Sequence, residues 1–107
     1  MHIEDGIRHE SNKKINEDVV LAHGSEFELN GLLNGNVYVS EKSKFVLNGV
    51  VNGNVFVKLR SVASVHGTLN GALKIDATSS AKIDGVVELV NAENQERLYI
   101  DPKAIIG

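Results

Sequence analysis

Four histidines, four evenly spaced serines and three aspartates are the side chains in this sequence that could carry chemistry. Ser25, Ser43, Ser61 and Ser79 recur at a constant 18-residue step. A serine nucleophile needs a base within hydrogen-bond reach and donors for an oxyanion. No histidine series keeps step with these serines, so the set reads as a stacked ladder of small corner residues rather than four catalytic hydroxyls. His66 occupies the position that Asn30, Asn48 and Asp84 hold at the same 18-residue step, which makes it part of a polar corner ladder. His2 and His9 lie near Glu4, Asp5 and Glu10. Spacing alone gives them no convergent metal geometry, and the segment reads as solvated. Asp76, Asp84 and Asp101 form no pair spaced for acid–base work. The glycines follow a repeat, not a strand–loop–helix phosphate site. The expectation is no enzyme, no cofactor and no metal.

The elements that position these residues are repeats. GLLNGNV begins at Gly31, GVVNGNV at Gly49 and GTLNGAL at Gly67, and Gly85 follows at the same 18-residue step. Gly35, Gly53 and Gly71 make a second series, so seven of the ten glycines sit on two positions of the repeat. Five apolar columns keep the same step: Ile15, Leu33, Val51, Leu69, Val87; Val19, Val37, Val55, Leu73; Leu21, Val39, Val57, Ile75; Phe27, Phe45, Ala63, Ala81; and Leu29, Leu47, Val65, Ile83. Within a repeat the apolar positions alternate, the signature of short half-buried strands.

These columns predict an all-β, single-stranded β-helix (a β-solenoid) of about five 18-residue turns, each climbing one strand spacing, about 4.8 Å. Inward methyls stack between turns, glycines supply positive φ at corners, and Asn34, Asn52 and Asn70 form an amide ladder. Two other arrangements compete. Three hexapeptides per turn would give the left-handed solenoid of many acyltransferases, and the five Asn-Gly pairs could be hairpin turns of a meander. The meander does not require like residues to stack at every step, so the columns favour the solenoid.

The chain reads as one domain over residues 1–107. Residues 1–12 carry no place in the repeat and form an N-terminal segment or cap, 13–87 are the regular turns, and 88–107 an irregular last turn and C-terminal cap. Asn91 and Glu93 fall where Val and Ile belong, and a short helix is expected within residues 92–97. Leu98, Tyr99 and Ile100 restart the apolar pattern out of register. Ile15, Val19, Leu21 and Leu29 keep the first edge open to a second copy. At the other end Tyr99, Ile105 and Ile106 could supply a self-assembly contact.

Composition narrows the partners. A formal charge of −3 on 107 residues provides no basic field for nucleic acid. No apolar run approaches the ~20 residues of a membrane helix, the start is no signal peptide, and there is no Cys. A cytoplasmic protein without membrane attachment is the expectation. Tyr38 and Phe56 share an outward column that Val20 and Lys74 extend. With Lys58 and Arg60 they make a strip expected to bind a protein partner.

Residues 27–87 resemble the core of the bactofilins, bacterial polymer-forming β-helix proteins. The likeness rests on their G-x-V-x-G-N/D-V repeat, written here as Gly49-Val50-Val51-Asn52-Gly53-Asn54-Val55. The resemblance implies a right-handed, three-sided helix that assembles end to end into nucleotide-free filaments, a scaffold or cytoskeletal element. A weaker resemblance, of size and repeat style, is to small β-solenoid immunity proteins that bind and neutralise a bacterial toxin.

Overall fold

Strict alternation of inward β-branched or leucine side chains with outward polar ones dictates strands only three or four residues long, separated by Gly, Asn and Ser corners. The structure, a computed structural model, describes residues 1–107, the side chain of Gln95 excepted. It is a three-sided solenoid of about six turns in which every strand pair is parallel.

The first face stacks strands His2–Ile3, Val19–Leu21, Val37–Val39 and Val55–Val57, then residues 72–75 and 89–92. The second stacks Arg8–Ser11, Glu26–Leu29, Lys44–Leu47, Val62–Val65, Ser80–Ile83 and Leu98–Ile100. The third stacks Lys14–Ile15, Leu32–Asn34 and Val50–Asn52, then residues 68–70, 86–87 and finally Ile105–Ile106. Strands Thr68–Ile75 and Val86–Ala92 run unbroken around one corner and so join the third face to the first. The only helical element among the described residues is the 3-10 turn Gln95–Arg97. No helix among them is long and apolar enough to cross a membrane.

The five apolar columns are the core. Val19, Leu21, Phe27, Leu29 and Leu33 are completely buried, and their successors through Leu73, Ile83 and Val87 are buried with them. Each such side chain contributes roughly 1.5–3 kcal/mol. Phe27 stacks on Phe45 with centroids 5.8 Å apart.

Three expectations need correction. Residues 1–12 do belong to the repeat: His2 and Ile3 pair with Val20 and Leu21, and residues 8–11 pair with residues 26–29. There are therefore six turns rather than five, and the edge at Val19 and Leu21 is already occupied. His9 and Ser11 stand in the Phe27 and Leu29 columns, and these two polar substitutions hide the turn. Second, the columns do not end at Val87. One residue is dropped between Val87 and Leu89, after which Val90 and Ala92 enter the Leu73 and Ile75 columns, and Leu98 and Ile100 those of Ala81 and Ile83. Two residues are regained before Ile105, which pairs with Val86.

Third, the repeated glycines are not there for positive φ. A Cβ on Gly49 would lie 1.9 Å from the carbonyl oxygen of Gly31, and one on Gly53 2.0 Å from that of Gly35. Glycine at these corners lets one turn's backbone rest against the turn before it. Left-handed backbone occurs elsewhere, at Gly6, Gly24 and two consecutive pairs of larger residues: Glu41 and Lys42, then Leu59 and Arg60 (φ 56–64°).

Candidate interaction surfaces

The residues with chemical potential are absorbed by the architecture. Ser25, Ser43, Ser61 and Ser79 are buried, and Ser43 Oγ donates to the Ser40 carbonyl at 2.6 Å. The Ser43 and Ser61 amides donate to the hydroxyl of the next serine up the stack, at 3.2 and 3.1 Å. Each hydroxyl closes a corner and faces the interior. His66 Nδ1 lies 2.7 Å from Asp84 Oδ1, its neighbour in the corner column. Below it, Asn48 donates to Asn30, and Asn30 to Asn12, both at 2.8 Å. The expected ladder on the other glycine corner runs Asn70 to Asn52 to Asn34 to Asn16, with separations of 2.8–2.9 Å. His9 is half-buried over the Phe27 ring, 5.7 Å between centroids, while His2 is exposed on the first face. No three His, Asp or Glu side chains among the described residues converge as a metal site.

A third corner is held by carboxylates. Asp76 Oδ2 accepts from the Leu59 amide at 2.9 Å, while Oδ1 accepts from the Thr78 amide and hydroxyl. Burial pushes the Asp76 carboxyl up. The hydrogen bonds from the Leu59 amide, Ser79 and Thr78 outweigh that and hold it below the usual carboxylate range. One turn on, Glu93 accepts from the Ala77 amide at 3.1 Å.

Two surfaces remain for contact. The lateral one is the outward strip of the first face. Register Val55↔Val37 stacks the Phe56 ring on that of Tyr38, the planes nearly parallel (7°) and the centroids 5.2 Å apart, and Lys74 Nζ lies 5.6 Å from the Phe56 centroid. Tyr38 and Val20 are exposed and Phe56 half-buried. Lys58 projects beside this pair, and Arg60 stands around the corner on the left-handed backbone. Neither forms an ion pair among the described residues. Leu59, 54 % exposed, lies on the same projecting corner with Lys42, and the sequence reading does not single it out. Its signal is the column: Leu59 is the one large apolar side chain at the step of Asp5, His23, Glu41 and Ala77.

The second surface is the sixth turn. Its inward columns hold Val90, Ala92, Leu98, Ile100 and Ile106, over which no further turn lies among the described residues. Ile100 and Ile106 are 42 % and 40 % exposed although they point along core columns. Tyr99 and Ile105 are exposed beside them, as is Leu89. The sequence marks Tyr99, Ile105 and Ile106; Leu89 and Ile100 emerge only once the dropped residue restores the register. The first turn is different. Ile3 is 3 % exposed, Met1 and Ile15 are half-buried, and its other two columns hold His9 and Ser11. The Met1 amino group is paired with Glu17 and donates to the Asp18 carbonyl at 2.7 Å.

No protein-family model, curated protein or solved structure matches this chain.

Proposed function

We propose that this protein is a non-enzymatic solenoid that works by protein–protein contact, first of all with copies of itself, as a bactofilin-like scaffold or cytoskeletal element. The observation that carries this reading is the sixth turn, where core columns and strand edges stand open together. The outer edges of strands Leu98–Ile100 and Ile105–Ile106, each paired on one side only, invite another strand, and exposed Ile100, Ile105 and Ile106 add an apolar driving force. The buried, backbone-bonded serine ladder and the carboxylates of Asp76 and Asp101, which accept from corner amides, favour a structural over a catalytic role. Light scattering across dilution, with electron microscopy, tests the proposal. Filaments or a concentration-dependent oligomer support it, and a monomer from micromolar to about 0.1 mM rejects it.

A second reading is favoured by the Tyr38/Phe56 strip: a cytoplasmic binding module, most concretely an immunity protein that occupies a bacterial toxin. A stacked ring pair, Tyr38 exposed and Phe56 half-buried, with Lys58 and Arg60 near it has the composition of an interface centre. Co-expression with the products of the neighbouring reading frames tests it. Phe56→Arg should abolish a complex found this way without unfolding the chain, and an undiminished complex removes this surface from consideration.

A further inference from the structure

We infer that self-association is confined to the sixth turn, two copies meeting tail to tail in a closed dimer, because the first turn is sterically shut to an added turn. The inference rests on the self-association proposed above and specifies its geometry.

The argument starts from the two glycine columns. At Gly31, Gly49, Gly67 and Gly85 a Cβ would meet a backbone carbonyl oxygen of the preceding turn at 1.9–2.3 Å; at Gly35, Gly53 and Gly71 the distance is 1.9–2.6 Å. Real Cβ atoms do not tolerate such contacts, so a Cβ in either column points at the turn on the N-terminal side and forbids it. In the first turn the same positions are Lys13 and Glu17, whose carbonyl oxygens are the ones that Gly31 and Gly35 rest against. Their own side chains therefore project where another parallel turn would have to lie. A copy laying a further parallel turn of the regular path there, to continue the solenoid head to tail, would bring its backbone against these two Cβ atoms, with long charged chains beyond them. Glu17 is in addition engaged with the Met1 amino group.

Head-to-head pairing is opposed by a second observation. Two first turns would bring His9 and Ser11 into the columns where the sixth turn offers Leu98 and Ile100. A two-fold axis at the sixth turn lays apolar column ends on their own copies and pairs edge strands antiparallel, which their outward amides and carbonyls allow. Such an interface closes on itself and leaves two shut first turns facing solvent.

The chain has no cysteine, so single introduced thiols report the joint directly. Lys103→Cys marks the sixth turn and Lys14→Cys the first; each variant is treated with a short bis-maleimide alone and as an equimolar mixture, with molar mass followed in parallel. Ile106→Glu, at a partly exposed terminal position, is the interface variant, its fold checked by circular dichroism. The expected result is a dimer that stops growing, cross-linked through position 103 alone, and weakened about tenfold or more by Ile106→Glu. Cross-linking of position 14 to position 103 in the mixture, cross-linking through position 14 alone, or filaments in the microscope would overturn the inference while leaving self-association standing. So would association that Ile106→Glu leaves unchanged. A monomer under all conditions overturns self-association itself.

Discussion

The second to fourth turns and the last two treat the same corner problem differently. The central turns keep the 18-residue step, and glycine fills both tight corners, because a carbonyl from the turn before lies within about 2 Å of where a Cβ would be. Gly85 ends the series: the corner after Val87, in the fifth turn, and the corner before Ile105, in the sixth, have no glycine, and in neither is that step preserved. The corner after Val87 loses a residue, so that Leu89 pairs with Ala72. The corner before Ile105 is two residues longer and is closed by Asp101, whose Oδ1 accepts from the Lys103 amide at 2.8 Å and whose carbonyl accepts from the Ala104 amide at 2.9 Å. The first turn completes the comparison: Lys13 and Glu17 keep the regular step without glycine because, among the described residues, no carbonyl of an earlier turn lies where their Cβ atoms point. Turn length and glycine are thus one constraint. A turn can keep the regular step with glycine, take another length without it, or escape the rule only at the first edge.

The comparison breaks most violently through the core it shares. Val55→Asp would bury an unpaired charge between Val37 and Leu73 in mid-solenoid; a loss of about 4 kcal/mol or more, enough to unfold a domain of this size, is expected in urea titrations. Lys58→Asp on the outer face should leave the midpoint nearly in place. The glycine rule itself is next. Gly49→Ala should cost about 3 kcal/mol, since backbone and not a flexible side chain must give way. Lys13→Ala, in the same column at the first edge, should stay within about 0.5 kcal/mol. Equal effects would show that the columns are not physical stacks.

The ladder effects are smaller. Asn52→Ala removes one donated and one accepted amide hydrogen bond on the solvent side of a corner, and about 1 kcal/mol is expected. Asn16→Ala, at the foot of the same ladder, removes only the acceptor for Asn34 and should cost about half as much. The smallest effect is acid-dependent. The Asp76 carboxyl is held below its unfolded value, so its stabilisation is complete above the ordinary aspartate pKa of about 3.9 and is lost as pH falls through the folded value. Asp76→Asn should therefore lower the melting temperature slightly at neutral pH and flatten its fall in that acid window, the two proteins converging as Asp76 protonates. A steeper acid limb in the variant would contradict the assignment.

Much of this architecture is legible in the residues because a solenoid writes its contacts at a fixed interval. The register Val37, Val55, Leu73, the serine and asparagine ladders and the shared column of Tyr38 and Phe56 all follow from counting by that interval. The count fails where chemistry at one position departs from the column. His9 and Ser11 are polar because they lie at an edge, and they disguise a turn that the step from Gly6 to Gly24 still carries. The two altered corners near Val87 and Ala104 defeat it differently, since a residue lost in one and two gained in the other scramble the columns between them. The role of glycine is legible as a position but not as a cause: only the placement of the Gly31 and Gly35 carbonyls separates close approach from left-handed backbone. The left-handed pairs Glu41/Lys42 and Leu59/Arg60 carry no glycine to announce them, and the projecting Leu59 corner stays hidden with them.

Because every strand pairs with the strand one turn away, the native hydrogen-bond ladder contains no connection longer than a single turn of chain. The solenoid should thus assemble as a zipper, from whichever pair of adjacent turns first closes its loop, with each further turn adding at a similar entropic cost. The Phe27/Phe45 pair, fully buried between the second and third turns, is the natural seed. From there growth in one direction meets the closed first turn after a single step, whereas in the other it runs out into the half-covered sixth. Amide hydrogen exchange should then form a lopsided gradient along the axis, slowest around Phe27 and Phe45 and fastest at Ile105 and Ile106.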